Sequence, residues 1–390
     1  MRYRVRMRAR LIDEPHRASS SLELLFDLTF VVAIAAITLE LAHNVAGGHA
    51  GDAVIPFLQV FFAIWWAWMN FTWFASSYDT DDVPYRLATM VQMAGVLVLA
   101  AGVPAAAEHA DYRAVTTGYL IMRLGLTAQW IRAGIEDPAA RKTAFRYAIG
   151  IMVLQVGWFL RIAFVDGIGV VSFLVLVVLE LAVPWWAERG RTKTNWHPHH
   201  IAERYGLLVI IVLGESVLAA TRAVQQAVET QHLTVSLVTV ALSGLVLLFS
   251  VWWLYFLHPA GDGLTDRRHR SYHWGYGHYG IFVALAALGA GLEVSVEATS
   301  HHIEASATTV GYAVAIPVAV FLVLLHAVQT AISPDRITRR TAVTACVIAV
   351  LLVPLAAPAL TVTGTIAVIT ALVVALTAIT IASPVTARPA

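Results

Sequence analysis

Apolar runs long enough to cross a bilayer recur along the whole chain, and nothing else limits its fold as strongly. A spanning helix needs roughly 20 mostly apolar residues. Twelve such runs are read, at 21–44, 53–76, 84–106, 112–133, 144–164, 168–187, 201–223, 234–257, 274–297, 307–331, 339–358 and 362–383. The connections between them are short and leave no room for a soluble domain. Composition agrees: 58% of the residues are hydrophobic and 13% charged, where a soluble chain carries about 25% charged residues. Such an excess of apolar surface has no single core to hide in. A soluble enzyme, a disordered chain and a secreted disulfide scaffold are excluded.

Other counts narrow the class. The single cysteine, Cys346, offers neither a disulfide framework nor a thiolate metal site. A net charge of +1 implies no bulk attraction to nucleic acid. No Gly-x-x-x-x-Gly-Lys-Ser/Thr loop occurs, which argues against ATP-driven transport within this chain. No Gly-x-Ser-x-Gly, His-Glu-x-x-His or Cys-x-x-Cys motif occurs either, so no enzyme, cofactor or metal is expected.

The basic residues test the span count, because cytoplasmic connections collect Lys and Arg. With the N-terminus inside, the cytoplasmic segments hold 22 of the 26 basic residues. The outer side keeps Arg113, Arg161 and Arg222, and Arg123 lies within a span. The expectation is an all-α, polytopic membrane protein with both termini cytoplasmic. Residues 1–20 form an Arg-rich cytoplasmic tail, and the first span reads as an anchor rather than a cleaved signal.

The two halves look alike. Ser21-Leu22-Glu23 opens the first span and Ile201-Ala202-Glu203 the seventh; Trp65-Trp66 lies in the second and Trp252-Trp253 in the eighth. Acidic segments follow each pair, Asp79 to Asp82 and Asp262 to Asp266, before Tyr85 and Tyr276. This order suggests two six-helix repeats, 21–190 and 191–385, of the same orientation because six is even. Function would then lie where repeats, or two copies of the chain in a homodimer, face each other.

Ionisable groups inside spans are costly and functional by default. Glu23 and Asp27 are four apart on one helical face, which continues through Ile34 and Thr38 as a stripe able to line a narrow path. The alternative is a pair of carboxylates near the interface that cap neighbouring helices. His199, His200 and Glu203 open the seventh span. Arg123 cannot be neutralised by losing its proton; Glu215 is its first expected partner and Glu180 its second, as a structural pair. His200, His278 and His326 are candidates for proton or pH sensing. Glu40 and His43 have the Glu-x-x-His spacing of di-iron bundles, but no second copy occurs, so an interfacial pair is expected. Trp65, Trp66, Trp68, Trp73, Trp185 and Trp186 read mostly as interface anchors, although Trp65 to Trp68 lie deep enough to pack between helices.

Three segments carry a resemblance. They are Leu22-Glu23-Leu24-Leu25-Phe26-Asp27-Leu28-Thr29-Phe30-Val31-Val32-Ala33-Ile34, then Trp65-Trp66-Ala67-Trp68 through Asp79-Thr80-Asp81-Asp82 to Tyr85-Arg86, and His200-Ile201-Ala202-Glu203-Arg204-Tyr205-Gly206 to Gly214-Glu215-Ser216. In this order they resemble the bacterial low temperature requirement A family over nearly the whole chain. That resemblance implies a multi-pass protein of the bacterial inner membrane, named for a role in growth in the cold, with no agreed biochemical activity. The first repeat is also similar, more distantly, to the six-helix repeat of endolysosomal and bacterial potassium channels with an Arg-x-x-x-Phe-Ser-Asp motif. Asp27 falls on the motif aspartate; Leu25 and Phe26 replace its Phe and Ser, and Leu207 stands at the equivalent place in the second repeat.

The expected function is channel- or transporter-like movement of a small cation or solute. Glu23, Asp27, Ile34, Thr38 and Glu203 would line the path, and Glu23 and Asp27 would set a negative entrance. A membrane sensor or assembly factor acting in cold or envelope stress is the alternative. A membrane-embedded enzyme using residues such as Glu40, His43 and Glu293 is a third.

Overall fold

The computed structural model describes residues 3–12, 14–15, 17–164, 169–190, 193–229, 234–300, 303–333 and 340–382. Among the described residues all regular structure is helical. The helices are α1 (Ser21–Ala46), α2 (Ala50–Tyr78), α3 (Val83–Ala101), α4 (Val103–His109), α5 (Arg113–Glu136), α6 (Arg141–Phe164), α7 (Gly169–Ala187), α8 (Pro198–Glu229), α9 (Val235–Phe256), α10 (Ala260–Asp266), α11 (Ser271–Ser300), α12 (Ala307–Ile332), α13 (Arg340–Leu352) and α14 (Ala357–Ala382). Among the described residues each of the twelve apolar runs falls largely on helix, as hydrocarbon demands: without water, backbone groups are satisfied within the helix itself.

Nine helical stretches among the described residues are long and apolar enough to cross a membrane. The last, Arg340–Ala382, is a 43-residue stretch that joins α13 and α14. It is interrupted by the 3₁₀ turn Val353–Ala356 and by the non-helical Thr361, with φ 62° and ψ 173°. α5, with arginines at 113, 123 and 132, and α8 stand outside these nine. The chain is a polytopic helical membrane protein.

Side chains are sorted opposite to the soluble pattern. On α7, Val170, Val171, Leu174, Val175, Val178 and Leu179 are exposed while Glu180 is fully buried. On α1, Leu24, Leu25, Leu28, Val32 and Leu39 are exposed, whereas Glu23, Asp27, Ile34 and Thr38 are buried. An exposed face this apolar suits lipid rather than water.

Contacts divide the chain into two compact units, residues 1–37 with 59–204, and residues 38–58 with 205–390. The first has an aromatic core in which Phe26 lies 3.9 Å from Phe71 between ring centroids and Trp130 stacks on Tyr147 at 4.2 Å. Trp65, Trp66 and Trp68 are buried in it, so these three pack between helices and are not interface anchors. Within this unit α3 and α5 cross so closely that a Cβ on Gly118 would sit 2.3 Å from the Leu99 backbone N. In the second unit α11 and α12 cross with the same intimacy: a Cβ on Gly291 would sit 2.2 Å from the Ala313 carbonyl O. Its aromatic cluster gathers Tyr205, Trp274, His278 and Phe282.

Candidate functional site

Two buried polar centres lie within the first unit. One is built at the starts of α1 and α8. Ser20 and Glu23 form a capping box: the Glu23 N–H donates to Ser20 Oγ at 3.3 Å and the Ser20 N–H donates to Glu23 Oε2 at 2.7 Å. That leaves Glu23 Oε1 free to face cations. Arg204 Nη1 lies 3.0 Å from it, His200 Nε2 3.1 Å and Arg17 Nη2 3.6 Å. None of these three is aligned as a hydrogen bond, and His200 Nδ1 also has no hydrogen-bond partner among the described residues.

One turn further along α1, Asp27 receives Arg204 as a fork. Arg204 Nε donates to Oδ2 at 2.9 Å and Nη2 donates to Oδ1 at 2.5 Å. The Trp68 indole N–H completes the set at 2.7 Å from Oδ1. Glu23, Asp27, His200 and Arg204 are all fully buried. Such forks suit guanidinium and carboxylate geometry and are among the strong hydrogen bonds.

Asp79, just past α2, extends this centre. Its Oδ2 lies 3.6 Å from Arg17 Nη2 and 3.9 Å from Arg10 Nη1. Burial, and next the charge of Glu23, push its carboxyl up to about 6 against the pull of Arg17 and Arg10. With the imidazole neutral and Arg10 matched by Glu14, Arg17 and Arg204 face three carboxylates, so the centre carries one surplus negative charge that a single proton would cancel.

The second centre surrounds Glu180. Five groups donate to this one carboxylate: Arg123 Nη2 at 2.8 Å, Trp66 Nε1 at 2.8 Å, Tyr119 OH at 2.9 Å, Trp158 Nε1 at 3.2 Å and Gln155 Nε2 at 3.3 Å. They come from α2, α5 and α6 and meet a residue of α7. The partner of Arg123 is therefore Glu180 and not Glu215. Depth in the span ranked the two carboxylates, but the convergence of indole, phenol and amide donors decides between them. Arg123 and Glu180 are both fully buried, and Arg123 Nε and Nη1 have no hydrogen-bond partner among the described residues.

Several predicted residues are brought together and others are not. Glu23, Asp27 and His200 join in one centre, with Ile34 on the same buried face of α1. The negative entrance expected of Glu23 and Asp27 is here a closed ion-pair network. Glu203 is exposed and accepts from the Ser19 backbone N–H at 3.3 Å. His278, in the second unit, is held between Tyr255 OH at 3.0 Å and the Trp274 carbonyl at 2.7 Å. His326 is half-buried on α12. No group of three or more metal-binding side chains is found among the described residues.

Sequence reading missed Arg204 and Arg17 as the counter-charges. One signal was present: His200 and Arg204 are four apart at a helix start, a basic counterpart of the acidic Glu23–Asp27 pair. It also missed that the Arg-rich tail is docked. The Val5 N–H donates to Asp82 Oδ2 at 2.7 Å and the Met7 N–H to Glu136 Oε2 at 2.6 Å. Arg132 clamps Asp82 through two bonds of 2.8 and 2.6 Å. Burial opposes the Asp82 charge, but Arg132 and the N–H groups of Val5 and Tyr85 prevail and hold its carboxyl at about 2.

The family described as bacterial low temperature requirement A protein matches residues 18–379. An uncharacterized protein of Rhizobium meliloti (strain 1021) is 27% identical over 294 residues, covering 70% of this chain and 68% of that protein. No solved structure matches.

Proposed function

The chain belongs to the bacterial low temperature requirement A family, and from that premise we propose that it moves a small cation across the bilayer, with α1 along the path. The observation that carries this reading is the centre of Glu23, Asp27, His200 and Arg204, all fully buried inside apolar helices. Charges so placed cost several kcal/mol unless function or pairing retains them. Pairing alone is a weak reason, since a well-packed apolar replacement of a buried ion pair is often as stable.

In this arrangement Arg204 occupies the carboxylates that a passing cation would need. Passage requires the guanidinium to withdraw, and a proton on Glu23 or Asp27 would release it. The surplus negative charge of the centre and the nearby imidazole of His200 make it a natural place to exchange that proton. The reading is thus of ion movement gated or coupled by protons. It assigns no chemical conversion to the chain.

Twelve spans with both termini cytoplasmic, in the bacterial inner membrane, fit this reading. A helix rises 1.5 Å per residue, so the 43 residues of Arg340–Ala382 would extend about 65 Å, twice a hydrocarbon core of about 30 Å. That length, with the break at Thr361, supports two spans there. α5 and α8, of 24 and 32 residues, are long enough to cross once their charges are matched inside the protein. Duplication is supported by the crossings of α3 with α5 and of α11 with α12, which occupy equivalent places in the two proposed repeats.

The test is ion flux from proteoliposomes holding the purified chain, with potassium, sodium and proton gradients in turn. The expected result is flux of at least one ion, strongly reduced by Asp27→Asn, because that change removes a carboxylate that a passing cation needs and a group that can exchange the gating proton. Unchanged flux in a folded variant removes α1 from the path. No flux for any ion from folded protein moves the assignment to a sensor or assembly factor in cold or envelope stress.

A further inference from the structure

We infer that the start of α6 and the end of α7 form a binding site for the headgroup of an anionic phospholipid. Four cations lie at these two helix ends. Arg141 and Lys142 are exposed in the first turn of α6, Arg146 follows one turn on, and Arg189 lies just beyond α7. Arg146 Nη1 donates to the Arg189 carbonyl O at 2.6 Å, which ties the two helix ends together. The Arg189 guanidinium lies 3.6 Å from the centroid of the Trp185 ring, a cation–π contact that fixes its place.

These cations differ from many others of the same unit. Arg4, Arg17, Arg86 and Arg132 each face a carboxylate. Arg141, Lys142, Arg146 and Arg189 have no ion pair among the described residues. Arg141 donates to the Gly134 carbonyl instead. The nearby carboxylate, Glu188, accepts from Tyr147 OH at 3.1 Å and Thr194 Oγ1 at 2.5 Å. Four positive charges therefore gather with no matched anion described.

Three features fix the chemistry of the partner. Guanidinium groups bind phosphate through paired N–H bonds. The indoles of Trp185 and Trp186 are 58% and 39% exposed, as befits rings at the headgroup level of a bilayer. Directly along the same helices run the lipid-facing side chains Met152, Val153, Val178 and Leu179. A ligand with an anionic head and apolar tails satisfies all three at once, and juxtamembrane basic clusters draw anionic lipid in this way.

The full chain in detergent, mixed with phosphatidylglycerol or phosphatidylcholine and read by native mass spectrometry, tests the inference. Wild type should retain phosphatidylglycerol in preference, and the double variant Arg146→Gln/Arg189→Gln should weaken that preference about tenfold or more. Arg113→Gln, at a cation already paired with Asp111, should leave it unchanged. Should the double variant fail to fold, Lys142→Gln at an exposed position carries the test, with a smaller loss expected. Equal retention of the two lipids overturns the inference, as does a preference that survives in a folded variant. Displacement of phosphatidylglycerol by millimolar inorganic phosphate also overturns it, by showing a site for free anions.

Discussion

Arg204 has no neutral form to retreat to, so its two carboxylates govern the energetics of the α1–α8 centre. Removing one partner of a buried pair costs about 3–5 kcal/mol, whereas replacing both by apolar groups is often nearly neutral. Asp27→Leu and Arg204→Leu should each lower the melting temperature in detergent, and the double variant should recover much of the loss. Losses that simply add would show that the fork does not hold the two residues together. Asp79 adds a dependence on pH. Its carboxyl sits at about 6 in the folded chain against about 3.9 when unfolded, so the folded state holds the proton more tightly. Stability should then fall as pH rises from about 4 to about 6 and change no further through this group above that. Asp79→Asn should flatten that slope in pH-resolved melting; an unaltered slope would place the effect elsewhere. The Glu23–Asp27 pair was legible from its spacing of four. Its partners were not, because a helical period says which residues share a face and nothing about which distant side chain meets them. The same limit explains Arg123: only the folded donors around Glu180 separate that residue from Glu215.

Helices were the most legible elements, since long apolar runs in lipid have one regular structure open to them. Observed ends lie within a few residues of the expected ones, apart from α8, which continues to Glu229, the run at 84–106, which is divided between α3 and α4, and the run at 339–358, where α13 ends at Leu352 and a 3₁₀ turn leads into α14. How the helices pack was less legible. Gly118 sits where α5 meets α3, and the Cβ of an alanine would collide with the Leu99 backbone. Gly118→Ala should cost about 1–3 kcal/mol through overpacking, read as a lower melting temperature. Gly214→Ala on α8 is the control, since nothing lies within 4 Å of the added methyl; equal effects at both glycines would contradict the close crossing. The matched tryptophan pairs show a further limit of sequence comparison. Trp65 and Trp66 are buried, whereas Trp252 and Trp253 are 44% and 48% exposed, so one dipeptide serves packing in one place and faces outward in the other. The N-terminal arginines read as markers of a cytoplasmic tail. The binding of this segment to Asp82 through the Val5 N–H and to Glu136 through Arg4 was not legible, because those partners lie 77 and 132 residues away.

At the scale of the whole molecule, the account rests on two buried centres with different duties. The Glu180 centre draws five donors to one carboxylate from three neighbouring helices and reads as a structural rivet. The α1–α8 centre holds an uneven number of charges, an imidazole with an uncommitted nitrogen and a face of α1 suited to a path; it reads as the control point. Membrane class and family were legible in composition, arginine placement and three ordered motifs, and the family match covers residues 18–379. What the α1–α8 centre acts on was not, because a self-paired network of this kind has no filter geometry to read. The two duties separate in one measurement: cation flux per folded molecule, in proteoliposomes, for wild type, Asp27→Asn and Glu180→Gln. The account predicts that Asp27→Asn loses flux in protein that remains folded, while Glu180→Gln lowers the yield of folded protein and leaves flux per folded molecule near wild type. Wild-type flux per folded molecule in Asp27→Asn would contradict it.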